Sequence, residues 1–120
     1  MSVLENAIAQ FEARPTFEIE VPEWGKPEAP LIVYYKTPNA ATLSKVIKES
    51  KGDPIEQAAR LVAHCARDGK GEKMFNPLDY KDIMWKVDFA IVSRIAAAIM
   101  RDARFDVVEA EKNSEAIQSE

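Results

Sequence analysis

Glu18-Ile19-Glu20-Val21-Pro22-Glu23-Trp24-Gly25, followed by Leu31-Ile32-Val33-Tyr34-Tyr35-Lys36-Thr37-Pro38, decides how this chain folds. Phe17, Ile19 and Val21 alternate with Thr16, Glu18 and Glu20, the period of a strand with one face buried. Leu31 to Lys36 is a β-branched and aromatic run suited to pair with it. Pro22, Pro27 and Pro30 lie between the two segments. They are expected to exclude a tight two-residue hairpin and to impose a longer loop. A two-stranded antiparallel ribbon is marginal in water by itself, so it must lie on helices.

Outward from this ribbon the chain reads as helical. Before it, Ser2 and Glu5 have the spacing of a capping box and open a short helix that Pro15 stops near Arg14. After it, Thr37 is expected to cap a helix with Pro38 at its first position. Leu43, Val46 and Ile47 form its apolar face, and Gly52 ends it. Asp53-Pro54-Ile55-Glu56 is a second start signal, with Asp53 accepting from free amides and Glu56 reaching back. Ile55, Ala58, Ala59, Leu61, Val62 and Cys65 then make an apolar stripe at helical spacing. Asp68-Gly69-Lys70-Gly71 breaks the chain with a tight turn. Asn76-Pro77-Leu78-Asp79 begins a short helix carrying Leu78, Ile83 and Met84. The last strong helix runs from about Asp88 to Arg101, with Ile91, Val92, Ile95 and Ile99 facing inward. The expected fold class is therefore α+β: an N-terminal two-stranded antiparallel β-ribbon packed on about four helices. Residues 1–104 form one domain, and residues 105–120 form a flexible acidic tail with few large apolar anchors.

Composition narrows the function. A chain of 120 residues with 47% hydrophobic and 30% charged residues is an ordinary one-domain protein with a modest core. The longest apolar stretch, Ala90 to Met100, is broken by Ser93 and Arg94 and is too short to span a bilayer. The first residues lack a basic segment followed by a hydrophobic run, and the single cysteine, Cys65, has no internal partner. Both features lead to the expectation of a cytoplasmic protein. A net charge of −4 argues against nucleic acid, whose phosphates require clustered Lys and Arg.

No constellation of residues points to catalysis. His64 and Cys65 are neighbours on a helix and diverge by about 100°. The chain has no second His or Cys to complete a zinc site. The Asp68-Gly69-Lys70-Gly71-Glu72 turn places a lysine where a calcium loop needs oxygen, and it lacks the Gly-Lys-Ser/Thr ending of a phosphate loop. No cofactor or metal is expected. Trp24, Phe75 and Trp85 read mainly as core aromatics. Trp24 is the exception, standing in a Pro/Gly-rich segment where a partner could meet it. In the last helix Ala90, Ala96, Ala97 and Ala98 widen the apolar surface beside the isoleucines, enough to pack between two neighbours, one of them another subunit. Alanine's plain preference for helix is the competing explanation.

The order and spacing of the Val21-Pro22-Glu23-Trp24-Gly25 element, the strand into an alanine-containing helix, Arg60-Leu61-Val62-Ala63 and Asp68-Gly69-Lys70-Gly71-Glu72-Lys73-Met74-Phe75 resemble the tail assembly chaperones of long-tailed bacteriophages and prophages. The resemblance spans roughly Phe17 to Met100. It implies a non-enzymatic helper that holds the tape measure protein soluble while tail tube subunits polymerise, acts in the host cytoplasm, self-associates, and is absent from the virion. Trp24, Tyr34, Ala90 and Ala97 are the candidate partner contacts. The resemblance also implies a longer product, made by ribosomal frameshifting, that recruits the tube protein. Glu111-Lys112-Asn113 is the candidate site, because these residues can be encoded GAA AAA AAC, which contains a slippery run in the correct phase that synonymous codons would remove. Two alternatives stand beside this reading: a structural tail or head–tail connector component, and a bacterial helical adaptor.

Overall fold

The two strands pair as expected, but a tight turn joins them. The computed structural model describes residues 2–103; the tail expected over residues 105–120 and the frameshift candidates Glu111, Lys112 and Asn113 lie outside them. β1 (Phe17–Lys26) and β2 (Ala29–Tyr35) are antiparallel, with Phe17 opposite Tyr35, Ile19 opposite Val33 and Val21 opposite Leu31. After a register shift Lys26 faces Ala29, so only Pro27 and Glu28 form the connection. The expectation of a longer loop was wrong for a physical reason. Pro27 occupies the first central position of the turn, where its fixed φ is favourable. Pro22 and Pro30 fall inside the register shift between Val21 and Lys26, where ladder bonding is interrupted. Each strand of a two-stranded sheet also has one free edge, where a missing N–H costs nothing. Gly25 sits in the same irregular segment. A Cβ there would lie 2.4 Å from the Leu31 nitrogen and 2.7 Å from the Ala29 oxygen, so the strands approach at a distance only glycine permits.

Helices flank this ribbon in the chain: α1 (Val3–Glu12) precedes it, and α2 (Ala40–Ser50), α3 (Pro54–Cys65), a 3₁₀ turn (Pro77–Asp79), α4 (Tyr80–Lys86) and α5 (Phe89–Asp102) follow. The Ser2 hydroxyl accepts from the Glu5 amide at 3.1 Å and starts α1. α2 begins two residues later than expected. Its cap is Asn39, whose Oδ1 accepts from the Thr42 amide at 2.8 Å, and Thr37-Pro38 remains outside the helix. Asparagine is at least as good an acceptor there as threonine, and its longer side chain serves the helix that starts at Ala40. On α2, Val46 is buried while Ile47 turns outward, and Ser50 is buried one turn after Val46, its hydroxyl donating to the Val46 carbonyl at 2.6 Å. The helix ends through Lys51 and Gly52, at φ 50° and 83°.

At α3, Asp53 Oδ1 accepts from the Ile55 and Glu56 amides at 2.9 and 3.4 Å. Glu56 does not reach back; its carboxylate takes Arg60 Nε at 3.0 Å. Arg60 also donates to Glu49 of α2 at 2.8 Å and lies over the Tyr80 ring at 3.7 Å. One half-buried guanidinium thus ties α2, α3 and α4 together.

The core is one cluster. Leu61, Val62 and Ala63 of α3, Val92, Ile95 and Ile99 of α5, Ile83 of α4, Val46 of α2, and Val21, Val33 and Tyr35 of the ribbon are buried together. The Tyr35 hydroxyl donates to the carboxylate of Asp102 at the end of α5, fixing the last turn to the ribbon. Arg94 of α5 donates to both oxygens of Glu23 at 3.0 and 2.9 Å, a second link between the same elements. The glycine turn does more than join helices. Tyr34 exchanges backbone bonds with Arg67 at 2.9 and 2.7 Å, and Arg67 bridges to Lys73, so residues 67–73 extend the free edge of β2. Gly71 takes positive φ, 84°, as a tight turn requires; Gly69 does not.

Candidate interaction surfaces

The four proposed partner contacts occupy separate places. Trp24 is half-buried and meets Phe75 edge-on, with ring centroids 6.1 Å apart, so it belongs to the margin of the core. Tyr34 is half-buried beside Gly69, the ring lying 3.5 Å from where a Cβ would stand. Ala90 and Ala97 are exposed on α5, whereas Ala96 and Ala98 are buried in the core. With Arg94 and Arg101, Ala90 and Ala97 share the outward face of α5 at a spacing of three and four residues.

The most exposed aromatic among the described residues is Trp85, 86% accessible on α4. This reverses the expectation for the two tryptophans. Ile83 faces the core, and a residue two positions on in a helix points about 200° away. Leu78, read with Ile83 and Met84 as an apolar residue of the short helix, is also largely exposed, as are Ile55 and Phe89 in part. A second apolar surface lies on α1, where Val3, Leu4 and Ile8 share one face and no residue of the helix is buried. Its few anchors are at its end. Arg14 stacks on the Phe11 ring at 3.7 Å and donates to the Thr37 carbonyl at 2.8 Å.

A cleft of about 660 Å³ opens between the end of α1, the end of β2, the start of α2 and the glycine turn. Its wall includes Arg14, Lys36, Arg67 and Lys70, with Asp68 as its one acid. None of these groups forms an ion pair among the described residues. The Asp68 carboxylate is engaged locally, accepting from the Lys70 and Glu72 amides at 2.8 and 3.0 Å. His64 and Cys65 also border the cleft. Burial, then Lys45 and Lys73, hold the His64 imidazole below its usual pKa. Burial pushes the Cys65 thiol up to about 11, against the pull of Arg67, Arg14 and Lys73. A thiol so raised is a poor nucleophile at neutral pH. The sequence contained all four wall cations, but their convergence depends on residues 67–73 folding back onto Tyr34.

Among the described residues, no group of three His, Cys, Asp or Glu side chains is placed to hold a metal ion, and no helix is long and apolar enough to cross a membrane. Compared with protein-family models, curated proteins and solved structures, the chain matches none of them.

Proposed function

We propose that this chain is a non-enzymatic tail assembly chaperone of a long-tailed phage or prophage, which keeps the tape measure protein soluble until tube subunits enclose it. The observation that carries the reading is the unpartnered apolar surface. α1 has the alternation of an amphipathic helix yet buries none of its residues, and Trp85 and Leu78 stand exposed at 86% and 73%. Such side chains each gain about 1.5–3 kcal/mol on full burial, and an amphipathic helix is the natural complement of another helix's apolar stripe. Several modest contacts per copy, repeated by many self-associating copies, hold a long rod firmly and still yield to the tube protein. The chain acts in the host cytoplasm, takes no nucleic acid, membrane or cofactor, and is left out of the finished particle. A frameshifted longer product supplies the contact to the tube.

The test is affinity capture of the chain from cells assembling particles, read by mass spectrometry, with two variants alongside: Leu4→Glu/Ile8→Glu and Trp85→Glu. These positions are exposed, so stability should change by no more than about 0.5 kcal/mol. Recovery of a very long helical protein with the parent chain, and its loss with either variant, is the expected result. Recovery of particle components without such a protein, or presence of the chain in purified virions, overturns the reading in favour of a structural component.

A further inference from the structure

The net charge of this chain is carried by its last residues. Residues 1–104 hold fifteen acids and fifteen bases, whereas residues 105–120 hold five acids, Asp106, Glu109, Glu111, Glu115 and Glu120, against Lys112. The cleft described above is the opposite: Arg14, Lys36, Arg67 and Lys70 face one acid, Asp68, whose carboxylate is already engaged by two backbone amides. The acceptors of Arg14 are the neutral carbonyls of Phe11 and Thr37, so no carboxylate offsets its charge among the described residues.

The last turn of α5 is linked to the cleft wall. Asp102, at the end of α5, accepts the hydroxyl of Tyr35, and Tyr35 and Lys36 line the cleft. Asp102 is thus one tyrosine side chain away from the backbone that carries Lys36. At about 3.3 Å per residue, even five residues reach roughly 16 Å. We infer that the cleft is a docking site for acidic peptide, and that the segment 105–120 of the same chain is its occupant. Carboxylates there meet cations that form no ion pair among the described residues, at an effective concentration that a short tether keeps high. The consequence is regulatory: an acidic ligand from elsewhere must displace the chain's own segment to enter. This inference is independent of the chaperone reading and would survive its failure.

The experiment uses the full chain, isotope-labelled, with a nitroxide on Ser114→Cys. Cys65 is buried and stays unlabelled. At low salt the amides of Lys36, Gly69 and Lys70 should lose most of their intensity. The loss should be restored by about 1 M salt, where the Debye length is about 3 Å. It should also be restored by Lys36→Gln/Arg67→Gln/Lys70→Gln. Glu109→Gln/Glu111→Gln/Glu115→Gln repeats the test without altering any residue of the cleft. Signal loss no greater in the parent than in both neutralised chains overturns the inference. So does loss seen only when spin-labelled and isotope-labelled chains are mixed, because the occupant would then be a second copy.

Discussion

Alanine in place of Gly25 puts a methyl where the hairpin has no room. Its Cβ would stand 2.4 Å from the Leu31 nitrogen, a backbone atom, and real Cβ contacts do not fall below 3.0 Å. The strands must separate until the first distance reaches the second, and the Ala29 oxygen at 2.7 Å must move as well. Overpacking of this kind costs about 1–3 kcal/mol. Displacing Trp24 from its edge-on contact with Phe75 removes about 0.5–1.5 kcal/mol more. Alanine stiffens the unfolded chain and offsets about 0.4–1 kcal/mol. The net expectation is a loss of about 2 kcal/mol, within about 0.5–4 kcal/mol, each kcal/mol lowering Tm by roughly 4–8 °C in a domain of this size. Urea unfolding followed by tryptophan emission measures it, in a Trp85→Phe background so that Trp24 is the sole reporter. The emission of the folded variant should shift red as Trp24 leaves Phe75. Gly52→Ala is the internal contrast: φ is 83° but nothing lies within 4 Å, so its cost of about 1–2 kcal/mol is conformational and Trp24 emission is unchanged. A Gly25→Ala protein within about 0.5 kcal/mol of its parent, with Trp24 emission unmoved, would refute the steric argument.

Capping gives a paired prediction: Asn39→Ala should cost about 1 kcal/mol, and Thr37→Ala less than about 0.5 kcal/mol. Equal effects in denaturant unfolding would mean that α2 starts where the sequence first suggested. Tyr35→Phe removes a hydrogen bond to the Asp102 carboxylate, worth about 1.5–3 kcal/mol near neutral pH. Burial and then Asp102 raise the Tyr35 pKa to about 12, so the parent's advantage is complete below the ordinary tyrosine pKa near 10 and is lost as pH rises through 12. Asp102 is held below its usual pKa by Arg101 first and Tyr35 next. Its contribution is present above the ordinary carboxylate value and fades as pH falls below that. Unfolding of both proteins across this range checks the signs; a stability difference that grows between pH 10 and 12 contradicts them.

What could be read from the sequence was local, and what could not depended on which surfaces meet. The alternation of Phe17, Ile19 and Val21 and the cap at Asp53 are properties of a few adjacent residues, and both stand in the structure. The prolines misled because the rule against them concerns strands paired on both sides. Pro22 and Pro30 fall where the ladder between the two strands is already interrupted, and Pro27 favours the turn. Glu56 has the spacing of a capping box, but Arg60, one turn on, offers its carboxylate a full charge in place of a backbone amide. The tryptophans were misassigned through neighbourhood. Trp24 stands among residues typical of loops, yet the strand brings it to Phe75; Trp85 stands among apolar residues, yet Ile83 fixes which face of α4 is inward. That signal was available, since two residues along a helix is nearly half a turn. The surfaces are a different matter. A hydrophobic face on α1 is written in Val3, Leu4 and Ile8, but whether anything covers it is decided by the rest of the fold, and within the described residues nothing buries it. An amphipathic helix left uncovered beside a folded core is exposed apolar area that a lone domain gains nothing from keeping. That asymmetry between an intact core and an unspent helix face is the physical reason to look for this protein's work in association.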